Sequence, residues 1–195
     1  MNWISFISDL GDSAILVPLS LLLVAALWRY QSWSAAISFV WAAAFCATVM
    51  FALKVSFLTC GSAWQAGILS PSGHTSMSTT VYGALAIVSA RQAPQWRRPL
   101  IAAAGGLLIM VIALSRVMLG MHSPPEVMLG LLVGVLALAI FALCYFRLAP
   151  AALNLPLFLC ISCVVLLILH GAHLPAEQFI RHLASLIRST AQVCR

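Results

Sequence analysis

The sequence has very little charge. Only 7% of its 195 residues are Asp, Glu, Lys or Arg, whereas about 25% is usual in soluble domains. Hydrophobic residues make up 63% of the chain and the mean hydropathy is +1.07, which is more apolar surface than a soluble globule of this length can bury. The same numbers exclude a disordered chain, a coiled coil and a collagen-like fibre. The composition therefore indicates a polytopic membrane protein.

Acidic residues are the scarcest charge, because four Asp and Glu stand against ten Lys and Arg, for a net charge of +6. Lys54 is the single lysine. The basic residues are scattered between apolar runs, whereas a nucleic-acid interface requires a dense basic face. We therefore expect no nucleic-acid partner, and we interpret the basic residues as determinants of membrane topology or as site residues.

The cysteines do not form a metal-binding pattern. Four of the six lie in apolar runs, where Cys behaves as a small hydrophobic residue. Cys160 and Cys163 form a C-x-x-C pair with no second pair and no neighbouring His, which argues against a metal site. Cys60 and Cys194 are both expected on the extracytoplasmic side, where oxidation is permitted. Whether they pair is left open by the sequence.

Six apolar runs are long enough, at about 20 residues, to cross a bilayer. Continuous apolar runs without two-residue alternation indicate helices rather than strands. The sequence thus predicts an all-α, polytopic membrane helix bundle that forms a single domain over residues 1–195. The predicted spans are at about 12–28, 34–58, 74–90, 99–117, 124–146 and 153–170. Apolar residues at helical spacing in the tail, about 175–195, predict an amphipathic helix at the membrane interface.

Short loops on one side of the predicted bundle carry five arginines: Arg29, Arg91, Arg97, Arg98 and Arg147. The positive-inside rule places that side in the cytoplasm. Both termini and the two longer polar loops are then expected on the periplasmic face of a bacterial-type inner membrane. The N-terminal residues have acidic but no basic residues before the first apolar run, so they are not expected to be a cleaved signal peptide.

Ionisable side chains at the ends of the predicted spans all fall at one membrane face. They are Lys54, His74, Arg116, His122 and Glu126. Such groups are costly near the membrane and usually mark functional sites. Random placement would rarely put all of them at the same face. We therefore expect a shared site at the outer leaflet.

The tetrapeptide Pro71-Ser72-Gly73-His74 stands just before an apolar helix. Backbone N–H groups around Ser72, Gly73 and His74 can point at an anion bound at the helix start. The Ser72 hydroxyl adds a hydrogen-bond donor, and His74 adds an acid or base that titrates near neutral pH. This segment therefore predicts an anion-binding site.

A second cluster surrounds the start of the predicted fifth span. Arg116 precedes His122 by six positions, and Glu126 follows four positions later. Ser123 and Pro124 are typical of a helix N-cap and first helical position. Glu126 can therefore form a capping box with Ser123, orient His122, or do both. Two cations, two imidazoles, a carboxylate and an anion site suit phosphoryl transfer. Zinc is not expected, because the neighbouring Lys and Arg would repel a dication.

These motifs resemble the type 2 phosphatidic acid phosphatase family, membrane phosphatases related to vanadium haloperoxidases. The family pattern is K-x6-R-P, then P-S-G-H, then S-R-x5-H-x3-D. The sequence has P-S-G-H at residues 71–74 and S-R-x5-H-x3-E at residues 115–126, and Lys54 stands where the first motif begins. There are two departures from the pattern: Gly61 and Ser62 occupy the Arg-Pro positions, and Glu126 replaces Asp.

The resemblance implies a role for each matched residue. His122 would be the nucleophile that forms a phosphohistidine, Glu126 would orient it, and His74 would protonate the leaving oxygen. The ligands of the phosphate would be Lys54, Ser72, the Gly73 amide and Arg116. The family uses no metal, and no cofactor is expected.

The resulting prediction is a metal-independent phosphatase that hydrolyses a lipid phosphate, or an isoprenoid diphosphate such as undecaprenyl diphosphate, at the outer leaflet. By the same resemblance, phosphatidic acid, phosphatidylglycerol phosphate and lipid A are further candidate substrates. Two alternatives stay open. One is a lipid phosphotransferase with the same intermediate, and the other is a non-catalytic lipid-binding relative, which the missing Arg favours. The oligomeric state does not follow from the sequence.

Overall fold

The computed structural model describes residues 3–64, 70–149, 155–172 and 176–191, and this part of the chain consists of helices and the turns that connect them. The predicted all-α class is therefore confirmed. The helices are α1 (Trp3–Asp9), α2 (Ser13–Tyr30), α3 (Trp33–Trp64), α4 (Gly73–Gln92), α5 (Arg98–Met118), α6 (Pro124–Tyr145), α7 (Leu155–Leu169) and α8 (Ala176–Ala191). A short 3-10 turn, Gln95–Arg97, precedes α5.

Within these ranges, four segments are long and apolar enough to cross a membrane: Ser13–Tyr30, Trp33–Cys60, Gln95–Met118 and Pro124–Tyr145. They correspond to the predicted first, second, fourth and fifth spans. The predicted third span is helical as α4, but its composition is less apolar. The described part of the predicted sixth span is α7, whose 15 residues rise about 22 Å, less than the roughly 30 Å of a hydrocarbon core. That α4 and α7 cross the membrane therefore stays a prediction.

Helix α4 is polar because it lies at the centre of the bundle. It packs against α2, α3, α5 and α6, and its hydroxyl side chains are buried there instead of facing lipid. Thr79 Oγ1 donates to the Thr75 carbonyl oxygen at 2.7 Å, and Thr80 Oγ1 donates to the Ser76 carbonyl oxygen at 3.0 Å. These two hydroxyls are thus satisfied one turn back along their own helix, which offsets the cost of burying them.

Two glycines let α6 approach α4 closely. A Cβ on Gly134 would lie 2.6 Å from the Ser76 carbonyl oxygen, and a Cβ on Gly130 would clash with the Ser72 carbonyl oxygen. The small-xxx-small spacing in α6 is therefore used for backbone contact. This contact brings the N-terminus of α6, with His122 and Glu126, beside the N-terminus of α4, with Ser72 to His74.

The rest of the core is apolar. Leu19 and Leu23 of α2 pack with Phe39 of α3 and with Phe141 and Tyr145 of α6, whose rings stack at 5.0 Å. Many large apolar side chains on the outer faces of the long helices are exposed, for example Leu107, Leu143 and Leu167. A bundle with a sealed core and an apolar outer surface is the arrangement expected of a protein that is solvated by lipid.

Two terminal helices complete the fold. The sequence did not predict α1, which packs against α5. The predicted amphipathic tail is helical as α8 and packs against α3. Cys60 is disulfide-bonded. Cys194 lies outside the described residues, so the question of its pairing with Cys60 stays open.

Candidate active site

The N-termini of α4 and α6 are joined by hydrogen bonds from the segment that precedes α4. The Ser72 amide donates to the backbone carbonyl of Glu126 at 3.1 Å, and the Ser70 amide donates to Glu126 Oε1 at 2.9 Å. Glu126 thus holds the P-S-G-H segment in place with both its main chain and its side chain. The two motifs that the sequence separates by about 50 residues share one site.

His122 lies against the second oxygen of the same carboxylate. Its Nδ1 is 3.0 Å from Glu126 Oε2, and both side chains are nearly buried, with 9% and 7% exposure. The Ser123 amide also donates to Oε2, at 3.1 Å. Glu126 therefore makes both contacts that the sequence analysis considered, the capping contact and the contact with His122.

The environment of His122 favours the neutral imidazole. Burial lowers its pKa below the usual value of 6.5, and the positive charges of Arg116 and Lys54 lower it further. The hydrogen bond to Glu126 and the charge of that carboxylate oppose this shift. A neutral ring that donates Nδ1–H to Glu126 leaves the Nε2 lone pair available to attack an electrophile.

Lys54 comes from α3 and lies against the start of α4. It is 4% exposed, and its Nζ lies 3.8 Å from the place that a Cβ on Gly73 would occupy. The first amides of α4, those of Gly73 and His74, lie at the positive end of the helix. An ammonium group next to a helix N-terminus is a cationic environment that suits a bound anion.

His74 has a partner that sequence reasoning missed. Its Nε2 is 3.6 Å from Asp12 Oδ2, where Asp12 is the N-cap of α2. The other oxygen of Asp12 accepts from the Ala14 amide at 2.9 Å. An acid just before an apolar run is a recognisable N-cap signal. That it also meets His74 depends on the packing of α2 against α4, which local sequence does not reveal.

Arg116 is nine-tenths buried at the end of α5, and its Nη1 donates to Ser8 Oγ of α1 at 2.7 Å. The His122 amide donates to its carbonyl oxygen at 3.3 Å, so the chain between α5 and α6 folds back over Arg116. The sequence did not single out Ser8. Its role is to anchor the guanidinium from a helix that the sequence also did not predict.

Ser72 has a structural role as the N-cap of α4. Its side chain is fully buried, and its Oγ accepts from the Thr75 amide at 3.4 Å and from Thr75 Oγ1 at 3.0 Å. Gly61 and Ser62, which stand where the resembling family has Arg-Pro, lie in the last turn of α3. A direct contact of Ser72 with a ligand stays a prediction.

An apolar cavity of about 390 Å³ opens beside these groups. Lys54, Gly73 and His74 line its polar end, whereas α2 and α3 supply apolar side chains such as Leu16, Val17, Met50 and Phe51. Ile180 of α8 also lines it. His122 is not among the lining residues. The cavity thus joins an apolar space to a cationic end that contains an imidazole.

Among the residues that the structure describes, no three His, Cys, Asp or Glu side chains are grouped so as to hold a metal ion. The titratable groups are instead arranged as pairs, His74 with Asp12 and His122 with Glu126, beside two cations. Such pairs with buried carboxylates are typical of acid–base and nucleophilic chemistry.

The fold and this site define a class, that of helical proteins with apolar outer surfaces and a His- and cation-lined polar site. Comparison with known proteins agrees, because the family model of the PAP2 superfamily matches residues 56–150. This match confirms the resemblance seen in the motifs and places this region of the chain in the PAP2 superfamily.

One curated relative is an uncharacterized 22.5 kDa protein in the cps region of Klebsiella pneumoniae. It is 28% identical over 199 aligned positions, which cover 96% of this chain and 92% of the relative. No solved structure matches the chain.

Proposed function

We propose that this protein is a membrane phosphatase that removes phosphate from a lipid phosphate or an isoprenoid diphosphate through a phosphohistidine at His122. The observation that carries the proposal is the buried 3.0 Å contact between His122 Nδ1 and Glu126 Oε2. A carboxylate on Nδ1 fixes the tautomer in which Nε2 is the nucleophilic atom, and it stabilises the positive charge that develops on the ring during attack.

In the first step, His122 Nε2 attacks the phosphorus and a P–N bond forms. The bond between phosphorus and the leaving oxygen breaks, and His74 donates a proton to that oxygen. In the second step, water attacks the phosphohistidine, His74 accepts a proton from it, and inorganic phosphate is released as the P–N bond breaks. Asp12, at 3.6 Å, stabilises the protonated form of His74 that the first step uses.

The phosphate is held by Lys54, Arg116 and the amides at the start of α4, with Ser72 contributing through its position as the cap. In such sites the transferred group carries negative charge on its equatorial oxygens, and fixed cations and amides stabilise that charge. The absence of Arg at residue 61 removes one charge-assisted contact, which is worth about 1.5–3 kcal/mol. A narrower substrate range than that of relatives with the full motif is the expected consequence.

The lipid nature of the substrate is supported by the apolar cavity that adjoins Lys54, Gly73 and His74. A phosphate at the cationic end leaves the alkyl part of the molecule in contact with α2 and α3, which are both long enough to span a bilayer. With the arginine-rich loops in the cytoplasm, this site lies at the periplasmic face of a bacterial inner membrane. We therefore favour lipid phosphates or diphosphates of the outer leaflet.

The test is phosphate release by the purified protein in detergent, with EDTA present, across a panel of lipid phosphates and diphosphates. His122→Ala is the test variant. His182→Ala is its matched control, because His182 is an exposed residue of α8. We expect release from at least one lipid, unchanged by EDTA and by His182→Ala, and abolished by His122→Ala.

A second measurement identifies the intermediate. Labelled substrate quenched rapidly in alkali should leave label on the wild-type protein that is stable to base and lost in acid, as expected of a phosphohistidine. Labelled protein that loses its label only when an acceptor lipid is added, with the label recovered on that lipid, would instead indicate a phosphotransferase. No label and no release on any lipid would contradict the proposal.

A further inference from the structure

A second and larger groove lies at the other end of α4. Its volume is about 830 Å³, and it is formed by α4, α5 and the end of α6. The 17 residues from His74 to Arg91 rise by about 25 Å along α4, and the two cavities share no lining residue. This groove is therefore separate from the candidate active site, near the opposite face of the predicted membrane.

The walls of the groove are apolar and its side along α5 is formed by small residues. Ala86, Ile87 and Leu138 line it from α4 and α6, and Ala102 and Gly106 line it from α5. A Cβ on Gly106 would meet no atom within 4 Å. The absence of side-chain bulk at this position keeps open a channel that suits an alkyl chain.

One end of the groove is cationic. Arg91 and Arg98 both line it. Arg91 donates to the backbone carbonyls of Tyr145 and Leu148 and lies over the Tyr145 ring at 4.9 Å, so it is held in place by neutral groups. Arg98 is exposed, and its Nε donates to the Ala93 carbonyl oxygen at 3.3 Å. These contacts orient the two guanidinium groups without neutralising their charge.

The acidic residues of the chain all belong to segments at the other end of the bundle. Asp9 and Asp12 flank the start of α2, and Glu126 lies in the first turn of α6. Glu177 belongs to α8, the helix that contributes Ile180 to the active-site cavity. In the described part of the chain, no ion pair joins a carboxylate to Arg91 or Arg98, which leaves both guanidinium groups to water or to an anion from outside the chain.

We propose that this groove binds one anionic glycerophospholipid from the leaflet opposite the candidate active site. One acyl chain lies along Ala102 and Gly106, and the phosphate meets Arg91 at the end of α4 and Arg98 at the start of α5. An apolar channel that ends at two guanidinium groups, neither of them paired with a carboxylate of the described residues, matches the chemistry of such a lipid, because Arg forms bidentate contacts with phosphate. Basic pockets between membrane helices on the cytoplasmic side bind acidic headgroups in this manner.

The test is native mass spectrometry of the purified full-length protein titrated with phosphatidylglycerol or with phosphatidylcholine of the same acyl chains. Arg98→Gln removes the headgroup contact, and Gly106→Leu and Ala102→Leu fill the channel from exposed positions of α5. Arg147→Gln is the matched control, because Arg147 is an exposed arginine of the same predicted face that does not line the groove.

We expect wild type and Arg147→Gln to bind phosphatidylglycerol about tenfold more tightly than phosphatidylcholine. Arg98→Gln should lose that preference, and either leucine variant should lose the binding of both lipids. Equal binding of the two lipids by wild type would overturn the proposal. So would an equal effect of Arg147→Gln and Arg98→Gln, which would indicate attraction to the whole basic face. Lipid binding that is retained in both Gly106→Leu and Ala102→Leu would also overturn the proposal. The same holds if the protein forms dimers that Gly106→Leu disrupts while lipid binding persists.

Discussion

Replacing Asp12 by Asn removes a negative charge beside His74 and leaves the helix cap in place. Asn and Asp are nearly equal as N-cap residues, so the contact between residue 12 and the Ala14 amide, 2.9 Å in the wild type, should persist. The loss of the favourable helix-dipole interaction should cost only about 0.3–1 kcal/mol of stability. The substitution therefore tests the charge of Asp12 separately from its structural role.

The size of the effect follows from the 3.6 Å distance between His74 Nε2 and Asp12 Oδ2. Coulomb's law gives about 4.6 kcal/mol at an effective dielectric constant of 20, and about 1 kcal/mol in bulk water. The His74 side chain is 28% exposed, which places the loss between these limits, at about 2–4 kcal/mol. Protonated His74 is the form that donates to the leaving oxygen, so hydrolysis of a lipid phosphate should slow by about 30- to 1000-fold.

The assay compares two leaving groups. An alkyl lipid phosphate needs a proton on its leaving oxygen, whereas p-nitrophenyl phosphate expels p-nitrophenolate, a stable anion that needs no proton. Asp12→Asn should therefore slow release from the lipid phosphate strongly and release from the aryl phosphate little. Asp9→Asn is the matched control, because Asp9 lies near His170 and not near His74. Equal slowing of both substrates, or no slowing of either, would refute the assignment of Asp12 to the proton donor.

Three further predictions test the other half of the site and its support. Glu126→Gln should slow phosphoryl transfer by about 10²- to 10⁴-fold, because the Gln side chain no longer fixes the tautomer of His122. The free energy of unfolding should fall by only about 1–3 kcal/mol, since one backbone amide is left unpaired. An unchanged rate of His122 phosphorylation in a rapid-quench experiment would contradict this prediction. Because the pKa of His122 is lowered, the nucleophile stays neutral as the pH falls past 6.5, so the rate of His122 phosphorylation should decrease only at lower pH. Glu126→Gln removes the group that raises this pKa, so the acidic limb of the pH–rate profile should move to still lower pH. Gly130→Ala should lower both the melting temperature and the activity, because the added Cβ would clash with the Ser72 carbonyl oxygen. The Cβ of Gly106→Ala meets open space, so this variant should stabilise α5 by about 0.5–1 kcal/mol. Thermal unfolding of both variants in detergent measures the difference.

Much of the helical framework could be predicted from the sequence because its determinants are local. The start of α6 lies at Pro124 and the start of α4 at Gly73, within a residue of the predicted positions. The length of an apolar run and the Pro, Ser or Gly at its end depend on nearest neighbours along the chain, so they can be recognised without a fold. The family was recognisable for the same reason, since each motif is contiguous.

The pairing of groups within the site required the tertiary structure. The contact between Glu126 and the Ser70 amide joins residues 56 positions apart, and the contact between Arg116 and Ser8 joins residues 108 positions apart. Asp12 meets His74 only because α2 packs beside α4, and α4 meets α6 closely only because Gly130 and Gly134 carry no side chain. Sequence spacing specifies which residues share a helix face. Which faces meet is decided by how the helices pack together. That packing places Asp12 beside His74, Ser8 beside Arg116 and the Ser70 amide beside Glu126.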